Sequence, residues 1–294
     1  MSKNIESQKR FFGKIFRALF CASMAMAIIG GVISCRSGSA KTTNRNAVDW
    51  KPSSGTALNM PDSSKGEIPK LLSQTGAFKN IRDLIPNDRL VPYDLNVPFW
   101  SDGAEKLRWM APPDWHESAP QKIQFTPTGE WTFPGGTIFV KHFELATNEL
   151  HPELKRRLET RLIVRTSSGG VYGVTYKWRP DNSDADLLAT NLSEPLLITT
   201  ATGTRTQYWY YPSREDCLVC HTANAGLVLG VKTRQLNRNF TYPSGVTDNE
   251  LRVWNQLGLF DTNLDKADFA NLPKLARADD MSRTLEDRAR SYLD

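Results

Sequence analysis

Between Trp131 and Tyr211 the chain repeats one pattern: short runs of β-branched and aromatic residues broken by Gly, Pro, Asn and Ser. Trp131-Thr132-Phe133 and the run from Thr137 to Phe143 are separated by Pro134-Gly135-Gly136. Thr160 to Arg165 and Val171 to Trp178 flank Ser167-Ser168-Gly169-Gly170, which reads as a hairpin. Ile198 to Thr202 and Thr206 to Tyr211 follow. Several short strands with such turns indicate an antiparallel β sandwich or partial barrel. No internal repeat is visible, which argues against a solenoid or propeller. Trp and Tyr are frequent in this stretch, and rings of this size more often fill a core than bind a ligand.

The flanks have a different character. Residues 36 to about 66 are rich in Ser, Thr, Asn, Lys and Gly and lack an apolar period, so they read as a flexible tether. Pro69 to Ile85 has helical fragments broken by Gly76, with Pro86 as a stop. After 213 the pattern turns helical. Thr247 and Glu250 have capping-box spacing ahead of the apolar Leu251, Trp254, Leu257 and Leu259. Pro273 separates that helix from a charged one over Ser282 to Asp294. The expected fold class is therefore α+β: a β-rich domain over 67–211, followed by a helical segment over 212–294.

The N-terminus reads as an export signal. Lys3, Lys9, Arg10, Lys14 and Arg17 precede an uncharged apolar run from Ala18 to Ile33. That run is about 16 residues, where a membrane-spanning helix needs about 20. Val32-Ile33-Ser34-Cys35 resembles the bacterial lipobox, which implies cleavage after residue 34 and a diacylglycerol on Cys35. The segments are then a lipoprotein signal over 1–34 and a tether over 35–66. A plain signal cut near Ser39-Ala40 and an uncleaved anchor are the alternatives, and all three export the chain. The chain carries 37 basic and 32 acidic residues, a net +5, but five basic residues and one acid lie within 1–34. What remains carries a net +1, which gives nucleic-acid binding little support.

Export leaves one cysteine pair to explain. Of the four cysteines, Cys21 lies inside the apolar signal and Cys35 is the candidate lipidation site. Cys217-Leu218-Val219-Cys220-His221 remains, which is C-x-x-C-H, the attachment motif of c-type haem. Two thiols one helical turn apart can form thioethers to the two vinyl groups of one porphyrin. The adjacent His221 can then ligate the iron. Two alternatives use the same residues. One is a plain disulfide or a thiol-redox pair, of which the latter expects a βαβ setting, whereas Tyr211 to Asp216 reads as a strand ending in a turn. A structural zinc site needs four ligands, and there is no second Cys pair. The sixth iron ligand is open among His116, His142, His151, Met60, Met110 and Met281. Met281 lies sixty residues after His221, a spacing compatible with a far-side ligand, and equally sits beside Asp279-Asp280 as a surface residue. His142, in an alternating strand, reads as a sheet residue.

Further segments resemble a family of predicted periplasmic dihaem c-type cytochrome lipoproteins. The matching stretches run from Val91 to Ala104 (VPYDLNVPFWSDGA) with Lys106, and from Phe133 to Thr137 (FPGGT) with Lys141 and Phe143. They continue with Glu159 to Leu162, Tyr176 and Trp178, then Cys217 to His221 with Leu229-Gly230, Arg234 to Asn237, and Asn255 to Leu257. The resemblance covers residue 70 to the C-terminus. It implies a cytochrome c-like helical segment bearing covalent haem c. It also implies a second C-x-x-C-H directly after the helix that ends at Asp294, so the segment over 212–294 is expected to be truncated.

Three functions compete. The leading one is a lipid-anchored c-type cytochrome on the periplasmic side of a bacterial membrane. It would exchange one electron with a redox partner such as a dehydrogenase or small cytochrome. The second is a β-rich ligand- or partner-binding lipoprotein in which Cys217 and Cys220 form a disulfide. The third is a haem enzyme, which needs distal acid–base groups; His116 near Asp114 and Glu117 reads instead as a solvated loop. Serine-hydrolase, P-loop and Rossmann fingerprints are absent.

Overall fold

The alternating runs from Thr137 onward become antiparallel strands, whereas Trp131-Thr132-Phe133 contributes only an isolated bridge from Thr132 to Gln124. The computed structural model describes residues 57–113 and 121–294, and the fold is mostly β, α+β broadly, with antiparallel sheets and a few short helices. The signal peptide, Cys35, most of the expected tether and His116 lie outside the described residues. No helix among the described residues is long and apolar enough to cross a membrane.

The chain enters through a single 3-10 turn, Leu72–Thr75, ended by Gly76 at φ +73, a conformation that glycine adopts at little cost. Strands β1 (Phe78–Asn80) and β2 (Ile85–Pro86) then pair. The helical fragments expected over Pro69–Ile85 thus reduce to one turn and a hairpin. Leu72, Ala77 and Phe78 are drawn into one core in that arrangement. The same core takes Leu58, 7% exposed, so the tether expected through residue 66 stops short of it.

Six strands form the main sheet in sequence order: β3 (Val91–Pro92), β4 (Glu105–Ala111), β5 (Ile138–Ala146), β6 (Lys155–Arg165), β7 (Val171–Trp178) and β8 (Ala185–Leu187). The β6–β7 turn lies at the expected Ser167–Gly170 and closes with Thr166 N–H donating to the Gly170 carbonyl at 3.0 Å. Alternation gives the sheet two unlike faces. On one, Trp109, Val140, Leu162 and Val174 stand opposite one another across four strands, all buried. Leu58, Ile68, Leu72, Phe78 and Leu90 cover them.

The other face has three rows that matter below. Met110, Phe139, Ile163 and Gly173 form the first. Arg108, Lys141, Arg161 and Thr175 form the second, and Lys106, Phe143, Glu159 and Lys177 the third. A two-stranded ribbon, β9 (Leu192–Thr200) and β10 (Gly203–Tyr211), closes over the third row. Its Leu196, Ile198, Trp209 and Tyr211 pack on Phe143, Leu145 and Leu158.

The segment after Tyr211 covers the first row. It comprises α1 (Arg214–Cys220), α2 (Thr233–Leu236), the pair β11 (Asn239–Thr241) and β12 (Thr247–Asn249), α3 (Glu250–Gln256) and α4 (Leu285–Leu293). It is less helical than the sequence suggests. Thr247 lies in a strand, and α3 is capped by Asn249, whose side chain accepts from Leu251 N–H at 3.0 Å. Glu250 instead turns inward and accepts Asp94 N–H at 2.7 Å. Burial raises its carboxyl well above the ordinary range. Trp131, Phe133, Trp254 and Phe260 join this segment to Phe139 and Met110 in one aromatic core. Five of the six described tryptophans are buried; Trp100 is the exposed one.

Candidate functional site

Helix α1 starts where strand β10 ends, and local chemistry explains the start. Pro212 cannot extend the ladder. Ser213 then caps α1: its side chain accepts Asp216 N–H at 3.2 Å, while Asp216 accepts Ser213 N–H at 2.8 Å. The cap fixes the phase of the helix, and with it which face carries the cysteines.

Cys217 and Cys220 are one turn apart and both are free thiols. Their settings differ. Cys217 is buried against Gly173, where a Cβ would lie 2.6 Å from its own Cβ, and its thiol lies 3.3 Å from the Ser213 carbonyl. Burial pushes that thiol up to about 11. Burial and the raised pKa disfavour Cys217 as a redox nucleophile, whereas Cys220 is exposed. Cys220 is exposed, and its neighbours Leu218 and Val219 are 45% and 75% exposed, leaving apolar surface beside it.

His221 forms the C-cap of α1, its N–H bonded to the Cys217 carbonyl at 3.1 Å. Its Nδ1 lies 2.8 Å from the Leu227 carbonyl oxygen. A carbonyl can only accept, so Nδ1 carries the hydrogen and Nε2 keeps its lone pair for a metal. Burial holds the imidazole below its ordinary pKa and so favours the neutral form that ligation requires; Lys141 and Arg161 push the same way, against the Leu227 bond. The loop that delivers the carbonyl is unusual. Gly226 has φ +69 and Leu227 has φ +65. A positive φ at a leucine costs about 1–2 kcal/mol, and strain of this kind concentrates at functional positions. A Cβ on Gly226 would lie 2.7 Å from Glu130 Cβ, so only glycine lets the loop approach this closely.

The other sequence-derived candidates do not join this cluster. His142 is on the opposite face of β5 from Lys141. It is buried, with Nδ1 2.8 Å from Thr160 Oγ1, Nε2 3.2 Å from Glu144 Oε1 and its ring edge-on to Trp178. Met281 is 80% exposed ahead of α4, its sulfur 3.5 Å from Arg288 Nη1, with no hydrogen bond to α1. Among the described residues no group of three or more His, Cys, Asp or Glu side chains is placed to hold a metal ion, and a zinc site would need four ligands.

Sequence reasoning missed two parts of the site: the Leu227 carbonyl and the cationic row next to the one that α1 covers. Arg108 pairs with Asp94 at 2.6 Å, and Arg161 forks onto Glu159 at 2.6 and 2.9 Å. Lys141 lies between them with no hydrogen bond or ion pair among the described residues; its Nζ sits 5.1 Å from the Phe143 ring centre. Burial, reinforced by Arg108, Arg161 and Lys106, pushes its ammonium well below the usual lysine range. Thr175 Oγ1, in the same row, is buried without a partner, as is Arg108 Nε.

The donor set fits a c-type haem: two thiols one turn apart, an adjacent imidazole with Nδ1 already engaged, apolar surface beside Cys220 and cationic groups beneath. Compared with family models, curated proteins and solved structures, the chain matches none of them.

Proposed function

We propose that the chain is a lipid-anchored, periplasmic c-type cytochrome that carries one covalently attached haem and serves one-electron transfer. The observation that carries this reading is the 2.8 Å contact from His221 Nδ1 to the Leu227 carbonyl, which leaves Nε2 as the ligating atom at the end of the helix that bears both cysteines. A haem bound here supplies an iron couple that changes by one electron. The chain's own groups do the rest. Cys217 and Cys220 would form the thioethers, and Cys217 is wedged against Gly173. His221 ligates through Nε2, and Leu227 sets the plane and tautomer of its ring. The buried first row excludes water from one side.

The architecture inferred is a sandwich-like pairing of the six-stranded sheet with the β9–β10 ribbon, carrying a cytochrome c-like helical segment from Ser213 onward. Its electron donor or acceptor would be a periplasmic dehydrogenase or small cytochrome, and Cys35 would carry the lipid. Met281 as sixth ligand gains no support from its exposed position.

The test is to express the mature chain with a cytochrome c maturation system and record a pyridine haemochrome spectrum. A c-type spectrum with one haem per chain, lost on combined Cys217→Ala and Cys220→Ala substitution, is expected. A folded, colourless protein would reject the proposal. That result would favour the binding module, for which one observation speaks: the outer face of the β9–β10 ribbon exposes Leu197 at 69%, Tyr208 at 68% and Tyr210 at 50%.

A further inference from the structure

We propose that the row formed by Lys141, Arg161 and Thr175 is the receptor for the carboxylates of the haem, an inference that rests on the haem reading above. Like charges placed directly opposite one another in a sheet repel. Here Arg108, Lys141 and Arg161 are successive cross-strand partners, three cations side by side on one face. The two arginines have acidic partners in Asp94 and Glu159, and the lysine between them has none. Lys141 is half-buried between two other cations, a setting that an opposite charge would relieve. Thr175 Oγ1 completes the row with a buried, unused hydroxyl.

Position strengthens the case. The row lies between two covered rows, one beneath Cys217 of α1 and one beneath Trp209 of the ribbon. The first-row partners Ile163 and Gly173, which Cys217 touches, are two residues along the strands from Arg161 and Thr175. Two residues of strand span about 7 Å, so the row begins within one porphyrin's reach of the attachment helix. In a haem held by its vinyl groups at Cys217 and Cys220, the two propionates occupy the opposite edge of the ring. A propionate has two acceptor oxygens and a negative charge. It matches a lysine ammonium, the remaining Nη1 of Arg161 and a threonine hydroxyl.

The measurement is the midpoint potential and the propionate-bending region of the resonance Raman spectrum of the haem-loaded full chain. Lys141→Gln is expected to lower the potential, because an unneutralised carboxylate favours the ferric state, and to move the propionate band. Lys141→Arg restores both. Thr175→Val moves the band with a smaller change in potential, and it keeps the test alive should Lys141→Gln fail to fold. Lys79→Gln, which removes an exposed lysine paired with Asp88, changes neither. Haem attached as in the native chain, with potential and propionate band unchanged in both Lys141→Gln and Thr175→Val, would overturn the carboxylate assignment alone. A native chain that takes up no haem would overturn the haem reading and this inference together.

Discussion

The two faces of the six-stranded sheet are built from the same strands and differ in almost every chemical respect. One presents Trp109, Val140, Leu162 and Val174 in a single apolar row beneath the N-terminal segment. The other presents an apolar row, a cationic row and a mixed row beneath two separate coverings. The first face is apolar in that row, and its buried His142 and Thr160 are hydrogen-bonded to one another. The second keeps buried polar atoms without partners, Thr175 Oγ1 and Arg108 Nε among them. Each such atom costs about 1–3 kcal/mol. Those unpartnered atoms lie on the face that also carries the C-x-x-C-H helix.

The largest expected effect falls on the face that α1 covers. Gly173→Ala would place a methyl 2.6 Å from Cys217 Cβ and 2.7 Å from its sulfur, which displaces α1. Haem per chain should fall to a small fraction of the native value while far-ultraviolet circular dichroism still reports the sheet. Native haem content in this variant would mean that α1 does not need its seat on β7. On the opposite face, Leu162→Ala should cost about 2–5 kcal/mol of unfolding free energy in urea with no change in haem chemistry. If the two substitutions affect haem content alike, the division between the faces is wrong.

A smaller effect of opposite sign is expected from Lys141→Met. It removes the middle one of three neighbouring cations and keeps its volume, so the chain without cofactor should gain stability. A loss of stability would show that Lys141 already has an adequate partner. The smallest effect is a pH dependence. His142 is held below its unfolded value of 6.5, chiefly by burial, against the hydrogen bond it donates to Glu144. Below 6.5 the unfolded chain takes up the proton first, so stability present at neutral pH declines as the pH falls through that value. His142→Asn should flatten that limb of the stability profile between neutral pH and the carboxylate range.

How much of this was visible in the sequence depended on the range of the interaction. Strands β5, β6, β7 and β10 and the turn at Ser167–Gly170 were legible, because alternation and turn glycines are local signals. So were α1 and its cysteines. Thr247 and Glu250 misled, since capping-box spacing is satisfied by a three-residue strand followed by a buried acid that binds Asp94 across the fold. Leu58 was lost in a polar stretch because a single apolar residue has no period to reveal it. The cationic row could not be read at all. Lys141, Arg161 and Arg108 become neighbours only through strand register, a tertiary property. The Leu227 carbonyl was equally hidden, because its position depends on a positive φ at a leucine that no propensity favours.

The most direct test of covalent haem attachment is the intact mass of the purified chain under denaturing conditions, after export alongside cytochrome c maturation proteins. A mass increased by one haem, absent from the combined Cys217→Ala and Cys220→Ala variant, is the expected result. A mass lower than the reduced polypeptide by two hydrogens, with no haem, would mean a Cys217–Cys220 disulfide and would contradict it.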